Sequence, residues 1–159
     1  KEIDKEMEII FLGDGRNMQM LEEYSRSIPY HEMVSFKGLV SRDTTIEHML
    51  EADVCISLSK GEGLPIAVLE SMYAGCFLIL SNISPHLEVS PPKDRCIFVE
   101  PSNQDQIIKS INYALSNLNA IRSGRGISKE YSIDNFSAER MLEEYKVIYN
   151  SLYDPHKEI

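Results

Sequence analysis

Two textures alternate along this chain: short unbroken apolar runs, and longer stretches in which apolar residues recur every three or four positions. Glu8-Ile9-Ile10-Phe11-Leu12 reads as a buried strand, stopped by Gly13-Asp14-Gly15. Met18, Leu21, Tyr24, Ser25 and Ile28 then share one face of a helix, with Glu22, Glu23 and Arg26 outside it, and Pro29 ends it. Residues 33–39 suit a strand alternating Val34 and Phe36, and Ser41 or Asp43 can cap a helix over 44–52 whose Glu47 complements the helix dipole. Another short strand runs from Val54 to Leu58. Pro65 near the first turn and Gly75 at the stop bracket a helix over 66–74. Residues 76–80 form the next strand, 84–89 a helical turn closed by Pro91-Pro92, and 96–99 the last strand. Ile107, Ile108, Ile111, Tyr113, Leu115 and Leu118 mark an amphipathic helix over 104–118. Residues 120–132, with Gly124 and Gly126, are helical or a loose connector, and a terminal helix spans 137–152.

Short apolar strands separated by helices imply βαβ units with right-handed crossovers. The expected fold is α/β: a doubly wound, Rossmann-like parallel sheet of five strands with helices on both faces. Such a sheet binds ligands beyond the carboxyl ends of its strands. The segments to watch are therefore 13–15, 39–41, 59–64, 81–88 and 100–104.

Length changes the picture little: 159 residues suit one domain over 1–159. Charge changes it more. Sixteen Lys and Arg against 25 Asp and Glu leave a net −9, which argues against nucleic acid as the main partner. No apolar stretch approaches the roughly 18 residues of a transmembrane segment. Cys55, Cys76 and Cys96 lie in or beside apolar runs without metal-ligand spacing, and read as buried reduced cysteines of a cytoplasmic protein. His31, His48, His86 and His156 show no i,i+4 pairing, so no metal site is expected. Lys1 is not a start methionine, and the chain is expected to be a fragment.

Two segments can carry chemistry. Gly13-Asp14-Gly15 lets a backbone approach a phosphate ahead of a helix, but Met18 stands where a dinucleotide fingerprint needs its third glycine. It is read either as a tight turn or as a ligand-facing one. The second segment is Ser59-Lys60-Gly61-Glu62-Gly63-Leu64-Pro65, which leads from a strand into a helix carrying Glu70. The amides of Gly63 and Leu64 and the positive helix end suit a diphosphate or sugar hydroxyls. Glu62 has a plain reading as a carboxylate favoured at a helix start. Glu70 follows two turns into a helix that reads as largely buried, where carboxylates are rare unless paired, and could accept two vicinal hydroxyls. Lys60 either pairs with a phosphate or is a solvated lysine.

Glu62 and Glu70 stand inside E-G-L-P-I-A-V-L-E, followed by S-M-Y-A-G and an apolar strand. This resembles the signature of retaining, nucleotide-sugar-dependent glycosyltransferases of the GT-B fold, the group-one (glycogen-synthase-like) superfamily. F-L-G-D-G-R, V-S-F-K-G-L-V, E-A-D-V-C-I-S-L-S and H-L-E-V-S resemble further family segments in the family's order. The resemblance covers Glu8 to Tyr149, the C-terminal, nucleotide-sugar-binding half.

By this resemblance, Glu70 binds the ribose hydroxyls of a UDP- or GDP-linked donor, and Glu62 lies beside the donor sugar as the catalytic-site carboxylate. Gly63, Leu64 and Pro65 approach sugar and diphosphate, Gly13 and Gly15 line the cleft near the diphosphate, and the segment 37–40 flanks the nucleobase. Lys60 and Glu88 face the same cleft. The implied reaction retains the anomeric configuration through an oxocarbenium-like transition state, with positive groups stabilising the leaving diphosphate. It needs no cofactor or metal. The family's Arg and Lys pair lies on a strand and turn before the first helix of this half, upstream of Lys1, so the sheet is expected to lack its first strand and helix. The implied partner is an N-terminal acceptor-binding domain of the same protein, and through it a lipid-linked glycan acceptor of surface-polysaccharide synthesis. The implied location is the cytoplasm, with any contact to the inner membrane face made by that other half. The chain alone is expected to bind donor weakly or not at all, without turnover.

Three other readings compete. A non-catalytic Rossmann-like module would bind only a nucleotide or a partner. An NAD-dependent oxidoreductase would need the missing fingerprint and an acidic residue at the end of the next strand, where Lys37-Gly38-Leu39 stand. A UDP-sugar epimerase of related architecture would not be expected to show this glutamate pair.

Overall fold

The structure is a computed structural model that describes residues 7–89 and 91–152. Ser90 of the H-L-E-V-S segment, His156 and Lys1 lie outside the described residues. All five expected strands are present, with parallel pairing throughout, so the α/β class stands. They form two sheets rather than one: a two-stranded and a three-stranded sheet. The chain also divides into two compact units, with the boundary between Glu47 and His48.

In the first unit β1 (Ile9–Phe11) leads through α1 (Met18–Ser27) to β2 (Val34–Phe36). The strands pair parallel, Phe11 opposite Phe36, and those rings stack with centroids 4.8 Å apart. The second strand is shorter than the 33–39 expected. A 3-10 turn, His31–Met33, occupies its start, and Gly38, in the left-handed region at φ 64°, turns the chain away after Lys37 donates to Phe11 O. Helix α2 (Arg42–Glu51) begins two residues earlier than expected because Ser41 is its cap, accepting from the Thr44 amide at 3.1 Å.

The second unit holds β3 (Val54–Ser57), β4 (Phe77–Ser81) and β5 (Cys96–Val99), joined by α3 (Ile66–Tyr73) and α4 (Ser84–Val89). The order β3-β4-β5 puts β4 in the middle, and all five of its residues are buried. Its alternation serves two cores. Leu78 and Leu80 join Val68, Met72, Cys76, Val89 and Cys96 on one face, where α3 packs. Phe77 and Ile79 join Val99 on the other, with Ala114 of α5 (Gln104–Ser116) and Ile121 of α6 (Leu118–Ser123). Each fully buried Leu or Ile contributes about 1.5–3 kcal/mol relative to exposure.

The expected helix over 104–118 ends at Ser116, where the Asn117 side chain donates to Tyr113 O, and α6 follows. The connector is helical on both sides of a turn at Gly124, after which α7 (Arg125–Phe136) begins. Two arginines fasten this region. Arg95, buried, donates to Ser128 Oγ, Ile121 O and Gly75 O and lies over the Phe77 ring, and burial pushes its pKa down. Arg125 donates to Leu50 O, Ala52 O and Ala74 O, placing a cation at the carbonyl ends of α2 and α3. Helix α8 (Ala138–Leu152) keeps the apolar set Met141, Leu142, Tyr145, Ile148, Tyr149 and Leu152, and none of its residues is buried.

The cysteines are free thiols. Cys76 and Cys96 are buried, and burial pushes each thiol up to about 12. Cys55 is only half-buried, though burial raises it too, and its sulfur accepts from Ser71 Oγ.

Candidate functional site

The second unit builds its site from the carboxyl ends of β3 and β4, which lie side by side with Ser57 opposite Leu80. One residue further on, the Ser81 hydroxyl donates to Ser59 O at 2.6 Å. That bond ties the end of the buried strand β4 to the start of the loop 59–65. The loop after β4 is held from the other side, where the Asn82 amide donates to Val99 O. A rigid core therefore fixes the roots of both loops.

Glu62 projects from the first loop with about a quarter of its side chain exposed. Its neighbour is His86 of α4, whose side chain is fully buried. The imidazole Nδ1 sits 2.9 Å from Ser81 Oγ and 3.1 Å from Ser81 O. A carbonyl only accepts, and the single hydroxyl proton of Ser81 is already given to Ser59 O, so Nδ1 must be the N–H. His86 Nε2 lies 3.5 Å from Glu62 Oε1, beyond hydrogen-bond length, and makes no hydrogen bond among the described residues. A buried nitrogen left in that state costs about 1–3 kcal/mol.

Helix α3 begins just past this pair. Pro65 is its cap, buried, and its carbonyl accepts from the Val68 and Leu69 amides. The amides of Gly63, Leu64 and Ala67 donate to no backbone acceptor among the described residues. They gather at the positive end of an eight-residue helix, an arrangement suited to an anion or to hydroxyl groups. A Cβ added at Gly61 or Gly63 would meet nothing within 4 Å, so the chain itself does not demand glycine there.

Glu70 lies on α3 and is half-buried. The helix is less enclosed than its sequence suggests: Val68, Ser71 and Met72 are buried, while Ile66 and Tyr73 are about half exposed. Lys60, Gly63, Leu64 and Glu88 are exposed, with Glu88 on α4. Gly13 and Gly15 belong to the first unit. There the Gly13 amide donates to Gly38 O, and the Gly15 amide donates to Asp14 Oδ1 at 2.6 Å. Both amides are taken, as in a self-contained turn.

Sequence reading singled out Glu62 but passed over His86, because a histidine without a spaced partner carries no ligand signal. A usable signal existed: His86 lies five residues after the apolar run 77–80 and Ser81, in the segment 81–88 at the carboxyl edge where ligands bind.

The chain matches the family described as glycosyl transferases group 1 over residues 1–124, and it belongs to that family. It is 29% identical over 154 residues to the O-antigen biosynthesis glycosyltransferase WclY of Escherichia coli, covering 95% of this chain and 41% of that relative. The chain thus spans about two fifths of the length of this curated relative. Among solved structures it is similar to TarM, with a TM-score of 0.78 and 16% identity over 92% of this chain and 29% of the other. It is also similar to Anabaena Alr3699/HepE in complex with UDP-glucose, with a TM-score of 0.77 and 14% identity over 92% of this chain and 42% of the other. These likenesses establish the fold as that of a GT-B-type domain.

Proposed function

We propose that this chain is the donor-binding domain of a retaining glycosyltransferase, taking a UDP- or GDP-linked sugar. The observation that carries the reading is the loop 59–65. It places Glu62 and the Gly63 and Leu64 amides, which meet no backbone acceptor among the described residues, beside the carboxyl end of the buried strand β4, next to the helix bearing Glu70. Those amides would meet the diphosphate, Glu62 the sugar hydroxyls and Glu70 the ribose. Charge develops on the diphosphate as the glycosidic bond breaks, so donors fixed before reaction lower the barrier without reorganising. Lys60, exposed beside the loop, would add a cation, and Leu64 and Pro65 would form the apolar wall. Gly13, Gly15 and Glu88 are assigned to the same donor only through family resemblance. An acceptor-binding domain would complete the site, with surface polysaccharide as the product class, as the O-antigen role of the Escherichia coli relative suggests.

The test is calorimetric titration of the complete gene product with UDP-glucose and GDP-mannose, alongside Glu70→Gln. Losing a charged hydrogen-bond acceptor costs about 1.5–3 kcal/mol, so affinity should fall roughly 10- to 100-fold. Melting temperature should scarcely change. Donor affinity unchanged in Glu70→Gln would refute the assigned role, and binding without any sugar transfer or donor hydrolysis would favour a non-catalytic module.

A further inference from the structure

We propose that His86 is a positioning residue for Glu62, and that one proton held between His86 Nε2 and Glu62 Oε1 fixes this carboxylate for the donor sugar. The proposal rests on the donor-binding reading of the loop 59–65 and adds to it His86, to which the family resemblance assigns no role.

Three observations lead there. First, the ring cannot turn its other nitrogen to Glu62. Nδ1 is committed to Ser81, whose carbonyl only accepts and whose hydroxyl proton goes to Ser59 O. Second, Nε2 is buried without a hydrogen bond among the described residues and faces Glu62 Oε1 at 3.5 Å. With no proton between them, a ring lone pair on a fully buried imidazole would face a carboxylate across that gap. A proton on either atom turns the repulsion into an attraction, charge-assisted when it sits on Nε2, and a closure of a few tenths of an ångström makes it a hydrogen bond. Third, Glu62 is partly exposed, so securing Oε1 leaves Oε2 to meet a ligand hydroxyl. The arrangement is a relay of orientation: Ser59 carbonyl, Ser81 hydroxyl, His86 ring, Glu62 carboxylate. Its root is the end of the buried strand β4, so the carboxylate is aimed by the core rather than by its own loop.

A histidine that only fills the core needs its Ser81 contacts and nothing more. The two roles separate in two substitutions. His86→Asn places an amide donor where Nδ1 was, keeping Ser81 satisfied and removing the face toward Glu62. His86→Gln places an amide near the Nε2 position, restoring a donor to Glu62. In the complete gene product, titrated with UDP and separately with UDP-glucose, His86→Asn should bind UDP as the wild type does. Its affinity for UDP-glucose, and its rate of UDP release from UDP-glucose, should fall about tenfold, because misaiming one contact group loses orientation rather than the whole site. His86→Gln should recover part of that loss. Equal binding and hydrolysis of UDP-glucose by His86→Asn and wild type overturns the proposal. So does loss of UDP and UDP-glucose together, which marks a structural role.

Imidazole nitrogen NMR tests the same contact without any donor. Nδ1 should appear as the nitrogen that carries the hydrogen bonded to Ser81, and the Nε2 signal should move on Glu62→Gln. An Nε2 signal indifferent to Glu62→Gln overturns the proposal even if His86→Asn fails to fold. A wild-type protein that binds neither UDP-glucose nor GDP-mannose would instead bring down the donor reading, visible before any substitution is made.

Discussion

Two turns in this chain share one local formula, strand, then Gly-acid-Gly, then helix: Gly13-Asp14-Gly15 after β1 and Gly61-Glu62-Gly63 after β3. They end up doing different things. In the first, Asp14 turns back on its own loop and takes the Gly15 amide. In the second, Glu62 faces His86 of α4, and the Gly63 and Leu64 amides that follow it meet no backbone acceptor among the described residues. The difference lies behind each turn. β1 has no buried residue, and Met33 is the one buried residue of the first unit among those described. The second turn stands beside β4, buried along its whole length. An acidic residue in a glycine loop becomes a usable group when a residue anchored to a core strand, as His86 is to Ser81, stands opposite it. Where none does, it satisfies the loop.

The sharpest way to break this contrast is to remove equal amounts of side chain from the two units. Leu78→Ala empties a fully buried site shared with Met72 and Cys96, and should cost about 2–5 kcal/mol. Leu21→Ala on α1, where Leu21 is 42% exposed, should cost under about 1 kcal/mol. Urea unfolding of both variants measures the difference. Comparable losses would mean that the first unit depends on packing as much as the second, and that burial behind the turn is not what separates the two.

The legible and illegible parts of the molecule divide along similar lines. The run ending at Leu80 was readable because a strand buried on both faces has no polar position to confuse it. Gly75 was readable as a stop, and its φ of 87° explains why. Strand pairing was not readable: periodicity gives strands but not their neighbours, and one expected sheet proved to be two. Arg95 and Arg125 carry no sequence sign of being clamps, since a buried guanidinium and a solvated one are the same letter. Glu70 was expected on an enclosed helix and is half-buried because Ile66 and Tyr73 leave α3 open. His86 was missed because its meaning comes from Ser81 and Glu62, and only the fold brings all three together.

Gly75→Ala probes how firmly the strand behind the second turn is held. An added Cβ would lie 2.9 Å from Arg125 Cβ and 3.1 Å from Arg125 O, at a backbone angle that L residues disfavour. The left-handed conformation alone costs about 1–2 kcal/mol, and the Arg125 contact adds to it. A loss of about 2–3 kcal/mol should lower the melting temperature by roughly 4–12 °C for a chain of this size. A fall under about 2 °C would show that the Arg125 clamp yields, and that the base of β4 is softer than its burial implies.

The smallest effect concerns a third acid, which tests whether the partner decides what a carboxylate does. Asp53, just before β3, receives two bonds from the Arg122 guanidinium, at 2.9 and 2.8 Å. The hydrogen bond from Arg122, with its charge, holds the Asp53 carboxyl below its ordinary value, against a smaller opposing push from burial. A carboxyl with a lowered folded pKa stabilises the protein fully above its unfolded pKa. That stabilisation drains away as pH falls through the folded value, where the folded state too becomes protonated. Arg122 is 58% exposed, so solvent screens the pair and it is worth no more than about 0.5–1 kcal/mol. Asp53→Asn should therefore be destabilised by that amount at pH 7, and the gap to wild type should close as pH drops below the ordinary carboxylate range. Denaturant midpoints along a pH series give the measurement. A gap that persisted unchanged into acid would mean the Asp53 charge contributes nothing, and that its place before β3 is held by shape and hydrogen bonding alone.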